Sequence, residues 1–245
     1  MNIKNSIALV TGANRGIGRA FVEELLAGGA AKVYATARDV ETLTDVVASA
    51  PDRVIPVALD VTKPDMILTA AENHTDVTLL INNAGIAAFA GLIAAEDDHP
   101  ARGEMETNYF GTLNMTRAFA PVLAANGGGA IINLASIASY VNFPALGSYS
   151  ASKAAVHSLT QGIRAELAVQ GTSVLGVYPG PVDTDMAEGF PMEKTPPHEV
   201  VNTIFEALES GQEDVYPDPM SVDLHAGLLG DSKAVEKQVD EMLPE

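Results

Sequence analysis

The sequence predicts an α/β chain: a doubly wound, seven-stranded parallel sheet with helices on both faces. Three observations carry this. Short apolar runs alternate with helical patterns from the first residues onward, the signature of repeated β-α units. Most of the runs are aliphatic or β-branched without alternation, as strands buried on both faces read. No linker, repeat or low-complexity tract interrupts the 245 residues, so one domain over 1–245 is expected.

Taken in order, the first strand is predicted over Ser6–Val10, running directly into a glycine-rich turn and a helix over Gly16–Ala27. A second strand follows at Lys32–Thr36 and a helix at Val40–Ser49. The third strand, Val54–Ala58, precedes a helix at Pro64–Asn73, and the fourth is Val77–Ile81. The spacing then predicts a long helix over Arg102–Ala125 and a fifth strand at Ala130–Leu134. Gly127, Gly128 and Gly129 between them suit a helix-ending turn, not a domain boundary. A helix over Tyr149–Val169, a sixth strand at Ser173–Tyr178, a helix at Pro197–Glu209 and a weaker strand at Asp214–Tyr216 complete the pattern. The tail from Ser221 has a helical patch and no functional motif; it packs either near a cleft or on a partner.

Composition narrows the function. The chain carries 32 acidic and 14 basic residues, a formal net charge of −18. That leaves no basic face for nucleic-acid phosphates or anionic membrane surfaces. There is no cysteine, which removes disulfides, thiolate metal sites and cysteine nucleophiles. The five histidines, 74, 99, 157, 198 and 225, have no acidic partners at metal-ligand spacing, so no metal is expected; His157 reads as packing or interface. The longest apolar run, Ile86–Ala95, contains Gly91 and falls far short of the ~20 residues of a membrane span. With no leader pattern before the first strand, a cytoplasmic location is the expectation. The charge is uneven: 15 acids and 11 bases precede residue 165, against 17 acids and 3 bases after it.

Residues 11–18 read Thr-Gly-Ala-Asn-Arg-Gly-Ile-Gly. Between a strand and a helix, Gly12, Gly16 and Gly18 permit a tight turn and close backbone approach to a pyrophosphate, and the helix N-terminus offers free N–H donors. The spacing is GxxxGxG, not the general GxGxxG. The second strand ends Thr36-Ala37-Arg38, with no acid before Asp39 to take a ribose 2′-hydroxyl. Arg15 and Arg38 instead suit a 2′-phosphate, because guanidinium forks match phosphate oxygens. NADP(H) in preference to NAD(H) is therefore expected. Of six tyrosines, only Tyr149 has a lysine four residues on, Lys153. One helical turn apart, the ammonium favours the phenolate and is expected to lower the tyrosine pKa. Ser136 follows the fifth strand, at the carboxyl end where such sheets bind ligands.

With these residues in place, the sequence resembles the classical short-chain dehydrogenases/reductases over nearly its whole length. TGxxxGIG fits Thr11–Gly18, including Asn14 and Ile17, and Asp-Val after the third strand fits Asp60-Val61. NNAG fits Asn82, Asn83, Ala84 and Gly85. The family's catalytic asparagine, serine, tyrosine and lysine fit Asn108, Ser136, Tyr149 and Lys153, and its Pro-Gly turn fits Pro179-Gly180, followed by Val182 and Thr184. The resemblance implies a Rossmann fold and interconversion of a carbonyl and an alcohol. It implies Tyr149 as general acid/base, Ser136 polarising the substrate oxygen, and Lys153 holding the nicotinamide ribose and depressing the Tyr149 pKa. Asn108 would place a proton-relay water. It further implies a homotetramer or homodimer pairing the helices Arg102–Ala125 and Tyr149–Val169, whose Ala151, Ala154, Ala155 and Gly162 allow close packing.

Ala138–Phe143 and a substrate lid around 184–196 are expected to flank the cleft. Ile137, Tyr140, Val141, Phe143, Met186, Phe190 and Met192 there point to an apolar or aromatic carbonyl substrate. Lys194 is the one basic residue on offer. Asp183 and Asp185 read as helix caps. The alternative is a non-catalytic NADP(H)-sensing or scaffold protein on the same fold; dehalogenase chemistry is disfavoured by the intact glycine turn.

Overall fold

A computed structural model describes residues 1–242. Its seven strands are β1 (Ile7–Val10), β2 (Lys32–Ala37), β3 (Val54–Ala58), β4 (Leu79–Asn82), β5 (Gly129–Leu134), β6 (Thr172–Val177) and β7 (Asp214–Val215). They form one parallel sheet in the order β3-β2-β1-β4-β5-β6-β7, the doubly wound Rossmann arrangement expected.

Alternate residues of the central strands feed opposite cores. Ala8 and Val10, Leu79 and Ile81, and Ala130, Ile132 and Leu134 face one layer. There they meet α1 (Gly16–Ala27), α2 (Thr44–Ala48) and α7 (Pro197–Glu209). Leu9, Leu80 and Ile131 face the other layer, against α3 (Pro64–Asn73), α5 (Gly111–Ala125) and α6 (Gly147–Ala168). Both sides being covered is why these strands read as unbroken apolar runs. β3 departs from that expectation. It is an edge strand with Ile55 exposed and Pro56 in its middle, a residue that cannot serve two ladders.

The long helix predicted over Arg102–Ala125 starts earlier and is not uniform. α4 (His99–Glu104) passes into a π-helical stretch, Met105–Phe110, before α5. Such wide turns mark functional sites more often than chance allows. The tail is α8 (Pro219–Asp240), kinked at Asp231 and opened by an Asp218–Ser221 capping box. No described helix is long and apolar enough to cross a membrane. The strand order reverses between β1 and β4, leaving a crevice at their carboxyl ends.

Candidate active site

That crevice is a cleft of about 1200 Å³. The glycine turn forms its nucleotide end. Gly12 and Gly16 have φ of +65° and +52°, which side-chain-bearing residues rarely adopt. Gly18 matters for space: a Cβ there would lie 2.0 Å from the Gly12 carbonyl oxygen. The turn is stitched to the segment after β4. Thr11 Oγ1 accepts from the Asn83 and Ala84 amides at 2.9 and 3.0 Å, and Asn83 Nδ2 donates to the Thr11 carbonyl at 2.8 Å.

Every cofactor residue expected from the sequence lines this one cleft: Gly12, Asn14, Arg15, Gly16, Ile17 and Gly18 from the turn, Arg38 beyond β2, Asp60 and Val61 beyond β3, and Asn83, Ala84 and Gly85 beyond β4. Pro179, Gly180, Val182 and Thr184 close it from the β6 side. Arg38 is exposed, while Asp39 beside it accepts from the Glu41 amide and caps the short helical turn Val40–Leu43. Burial works against a charge on Asp60. Two hydrogen bonds from Thr62, with Arg38 and Lys63 nearby, nevertheless hold its carboxyl below the ordinary value.

Arg15 is not free in this structure. Its Nη1 donates to Asp185 at 2.7 Å, both side chains being about two-thirds exposed. This corrects the reading of Asp183 and Asp185 as caps: the one-turn helix Asp185–Ala187 begins at Thr184, without a side-chain cap. Asp185 instead ties the segment after β6 to the glycine turn.

Ser136, Tyr149 and Lys153 meet at the opposite end of the cleft. Lys153 Nζ lies 5.6 Å from the centre of the Tyr149 ring and donates to the Leu134 carbonyl at 2.6 Å. Burial lowers the Lys153 ammonium to about 8. Tyr149 moves opposite to expectation: burial pushes its phenol up to about 12, the Ser136 hydroxyl pulls it down, and Glu104 adds to the rise. Desolvation outweighs the hydrogen bond from Ser136. Ser136 Oγ donates weakly to the Pro179 carbonyl at 3.3 Å and accepts from the Ala138 amide at 3.1 Å.

Asn108, in the π-helical stretch, is buried and does not line the cleft. Its Oδ1 accepts from the Ile86 amide at 2.8 Å, and its Nδ2 donates to the Ile86 carbonyl and to Ser152 Oγ, both at 2.9 Å. Gly85 permits this crowding: a Cβ there would be 3.2 Å from Asn108 Oδ1 and 3.4 Å from Lys153 Nζ.

The remaining wall is apolar. Ile137, Phe143, Met186, Phe190 and Met192 line it as expected, joined by Phe89, Leu146, Met220 and Met242. Tyr140 and Val141 do not. Tyr140 turns into an aromatic cluster behind the wall, where Tyr216 donates to its hydroxyl at 2.9 Å and Tyr178 packs 5.0 Å from its ring. His157 belongs to the same cluster, 2.7 Å from the Tyr178 hydroxyl, which is the packing role expected. The 183–194 loop is pinned at its base, with Asp183 N donating to Thr195 O at 3.0 Å and Thr195 N to Pro181 O at 3.1 Å. Met242, at the end of the described tail, lines the cleft. No group of three or more His, Asp or Glu residues among the described residues is placed to hold a metal.

A family model described as short chain dehydrogenase matches residues 6–194. A crystal structure of a short-chain dehydrogenase from Burkholderia cenocepacia in complex with NADP is 45% identical, with a TM-score of 0.93 over 100% of both chains. A short-chain dehydrogenase/reductase from Burkholderia phymatum in complex with NAD is 25% identical, with a TM-score of 0.85 over 97% of this chain and 96% of that one. The 3-oxoacyl-(acyl-carrier-protein) reductase of Vibrio cholerae is 34% identical over 192 residues, 77% of this chain and 78% of its own length.

Proposed function

Since this chain belongs to the short-chain dehydrogenase/reductase family of nicotinamide-dependent oxidoreductases, we propose that it reduces an apolar or aromatic ketone or aldehyde to the alcohol, with NADPH as reductant. The observation that carries this reading is the meeting of Ser136, Tyr149 and Lys153 at the apolar end of a cleft whose other end is a glycine cradle flanked by Arg15 and Arg38. The cradle suits a dinucleotide: Gly12 and Gly16 hold positive φ and Gly18 packs its helix against the Gly12 carbonyl, which keeps the turn tight at the helix N-terminus. The two arginines favour the 2′-phosphate form, and a close structural relative at 45% identity was crystallised with NADP.

When bound, NADPH supplies the hydride to the carbonyl carbon. Tyr149 donates its phenolic proton to the carbonyl oxygen as negative charge develops there. Ser136 Oγ donates a hydrogen bond to the same oxygen and stabilises that charge. With its pKa near 12, Tyr149 is a protonated phenol at neutral pH, the form a reductase needs. Lys153, at about 8, keeps most of its charge at pH 7 and stabilises the phenolate left behind. Asn108 acts at one remove, holding Ile86 and so the segment that carries Gly85 toward Lys153.

Apart from Lys153 beside Tyr149, no basic side chain lines the substrate end, since Arg15 and Arg38 stand at the nucleotide end. An uncharged substrate suits such a wall better than a carboxylate or a phosphorylated carrier. The test is NADPH oxidation with a panel of aryl and aliphatic ketones and aldehydes. Turnover is expected in the parent protein and lost by about 10²–10⁴-fold in Tyr149→Phe, with NADPH affinity kept. A Tyr149→Phe variant retaining most of its activity overturns the assignment.

A further inference from the structure

Glu104 is a fully buried acid at the end of α4, and its Oε2 meets no hydrogen-bond partner among the described residues. Its Oε1 accepts from the Ala88 amide at 2.7 Å. Four residues on, Asn108 grips Ile86 by both its amide and its carbonyl. Two side chains one helical turn apart therefore hold alternate residues of the loop after β4. Ile86, Ala87 and Phe89 of that loop line the cleft, whereas Ala88 does not. Phe89, the next residue after the anchored amide, has φ of +53°, a conformation that costs a bulky side chain. Its ring packs edge-on against Phe190, centroids 5.7 Å apart and planes at 77°. A buried, half-paired acid and a strained backbone are both unfavourable alone, and both lie beside this one ring of the cleft wall.

We propose that Glu104 is a positioning residue that, through the Ala88 amide, fixes Phe89 against Phe190 and so sets which carbonyl substituents the cleft accepts. This rests on the reading of the cleft as a carbonyl-reducing site. It differs from the Asn108 contact in acting on the aromatic gate, not on the Gly85–Lys153 floor.

The test pairs two measurements on the full chain. One is amide hydrogen exchange at Ala88; the other is steady-state kinetics at saturating NADPH with an aryl ketone and a small aliphatic ketone. Glu104→Ala should speed Ala88 exchange about tenfold. It should also raise KM for the aryl ketone about fivefold, the worth of an aromatic contact, with little change in KM for the small ketone; kcat is not the readout, because Glu104 also raises the Tyr149 phenol. Glu104→Gln, whose Oε1 still accepts from Ala88, should restore both. Phe89→Ala should reproduce the aryl KM change while Ala88 exchange stays slow. Unchanged exchange in Glu104→Ala, or an unmoved aryl KM in Phe89→Ala, overturns the proposal. If Glu104→Ala does not fold, the Gln and Phe89 variants decide. If the parent protein reduces neither ketone, the functional reading and the specificity role fall together, and exchange at Ala88 still decides whether the anchor exists.

Discussion

Replacing Lys153 by methionine should stabilise the fold while abolishing turnover. Lys153 is 5% exposed, and its ammonium makes one described hydrogen bond, to the Leu134 carbonyl at 2.6 Å. Burial lowers its pKa from 10.5 to about 8. At about 1.4 kcal/mol per pH unit, the protonated side chain is about 3 kcal/mol less favourable in the fold than in water. Methionine fills a similar volume without the charge, and loss of the bond to Leu134 returns about 1 kcal/mol. The net gain at pH 7 is about 2 kcal/mol, roughly 4–8 °C in Tm for a chain of this length. Between pH 8 and 10.5 the unfolded chain keeps a proton that folded Lys153 has released, so this residue makes the parent protein more stable as pH rises. The advantage of methionine should therefore shrink above pH 8 and vanish near pH 10. Tyr149 does not mask the trend: held at about 12 in the fold and near 10 unfolded, it is protonated in both states below pH 10 and opposes only above that. Thermal melts at pH 7 and 9.5, beside NADPH-dependent turnover, check this. A variant destabilised equally at both pH values would refute the reasoning.

Three other perturbations address the nucleotide end. Arg38→Leu should raise KM for NADPH about tenfold or more, the loss of a charge-assisted contact, and leave KM for NADH nearly unchanged; equal effects on both count against a 2′-phosphate site. Asp185→Asn removes an exposed pair worth under about 1 kcal/mol, so Tm should hardly move, while release of Arg15 should lower KM for NADPH a few-fold; an unchanged KM means that Arg15 does not meet the cofactor. Gly18→Ala puts a Cβ 2.0 Å from the Gly12 carbonyl oxygen, so titration should show NADPH affinity reduced by about a hundredfold, a loss of about 3 kcal/mol, and an alanine variant that binds normally would contradict the described turn.

The legible parts of the sequence are those whose physics is local. The central strands announce themselves because both faces are buried, and Gly12, Gly16 and Gly18 because only glycine tolerates the turn. Val54–Ala58 is as apolar as its neighbours, so nothing in its composition separates an edge strand from an interior one except Pro56. The π-helical stretch is hidden for another reason: Met105–Phe110 holds ordinary helix residues, and the loop that Asn108 grips, at Ile86, lies 22 positions earlier. Glu104 is the sharpest omission. A glutamate in a helix reads as a solvated face, and its burial depends on a loop amide sixteen positions away. The Arg15–Asp185 pair spans 170 positions, beyond any pattern of spacing. The inward turn of Tyr140 is not legible because two sides of a short turn look alike in sequence, and the partners that draw it inward, Tyr178 and Tyr216, lie much later in the chain.

The cleft wall begins at Gly12 and ends at Met242. Residues 230 positions apart thus share one wall, so the shape of the cleft depends on the docking of α8 as much as on the strand ends.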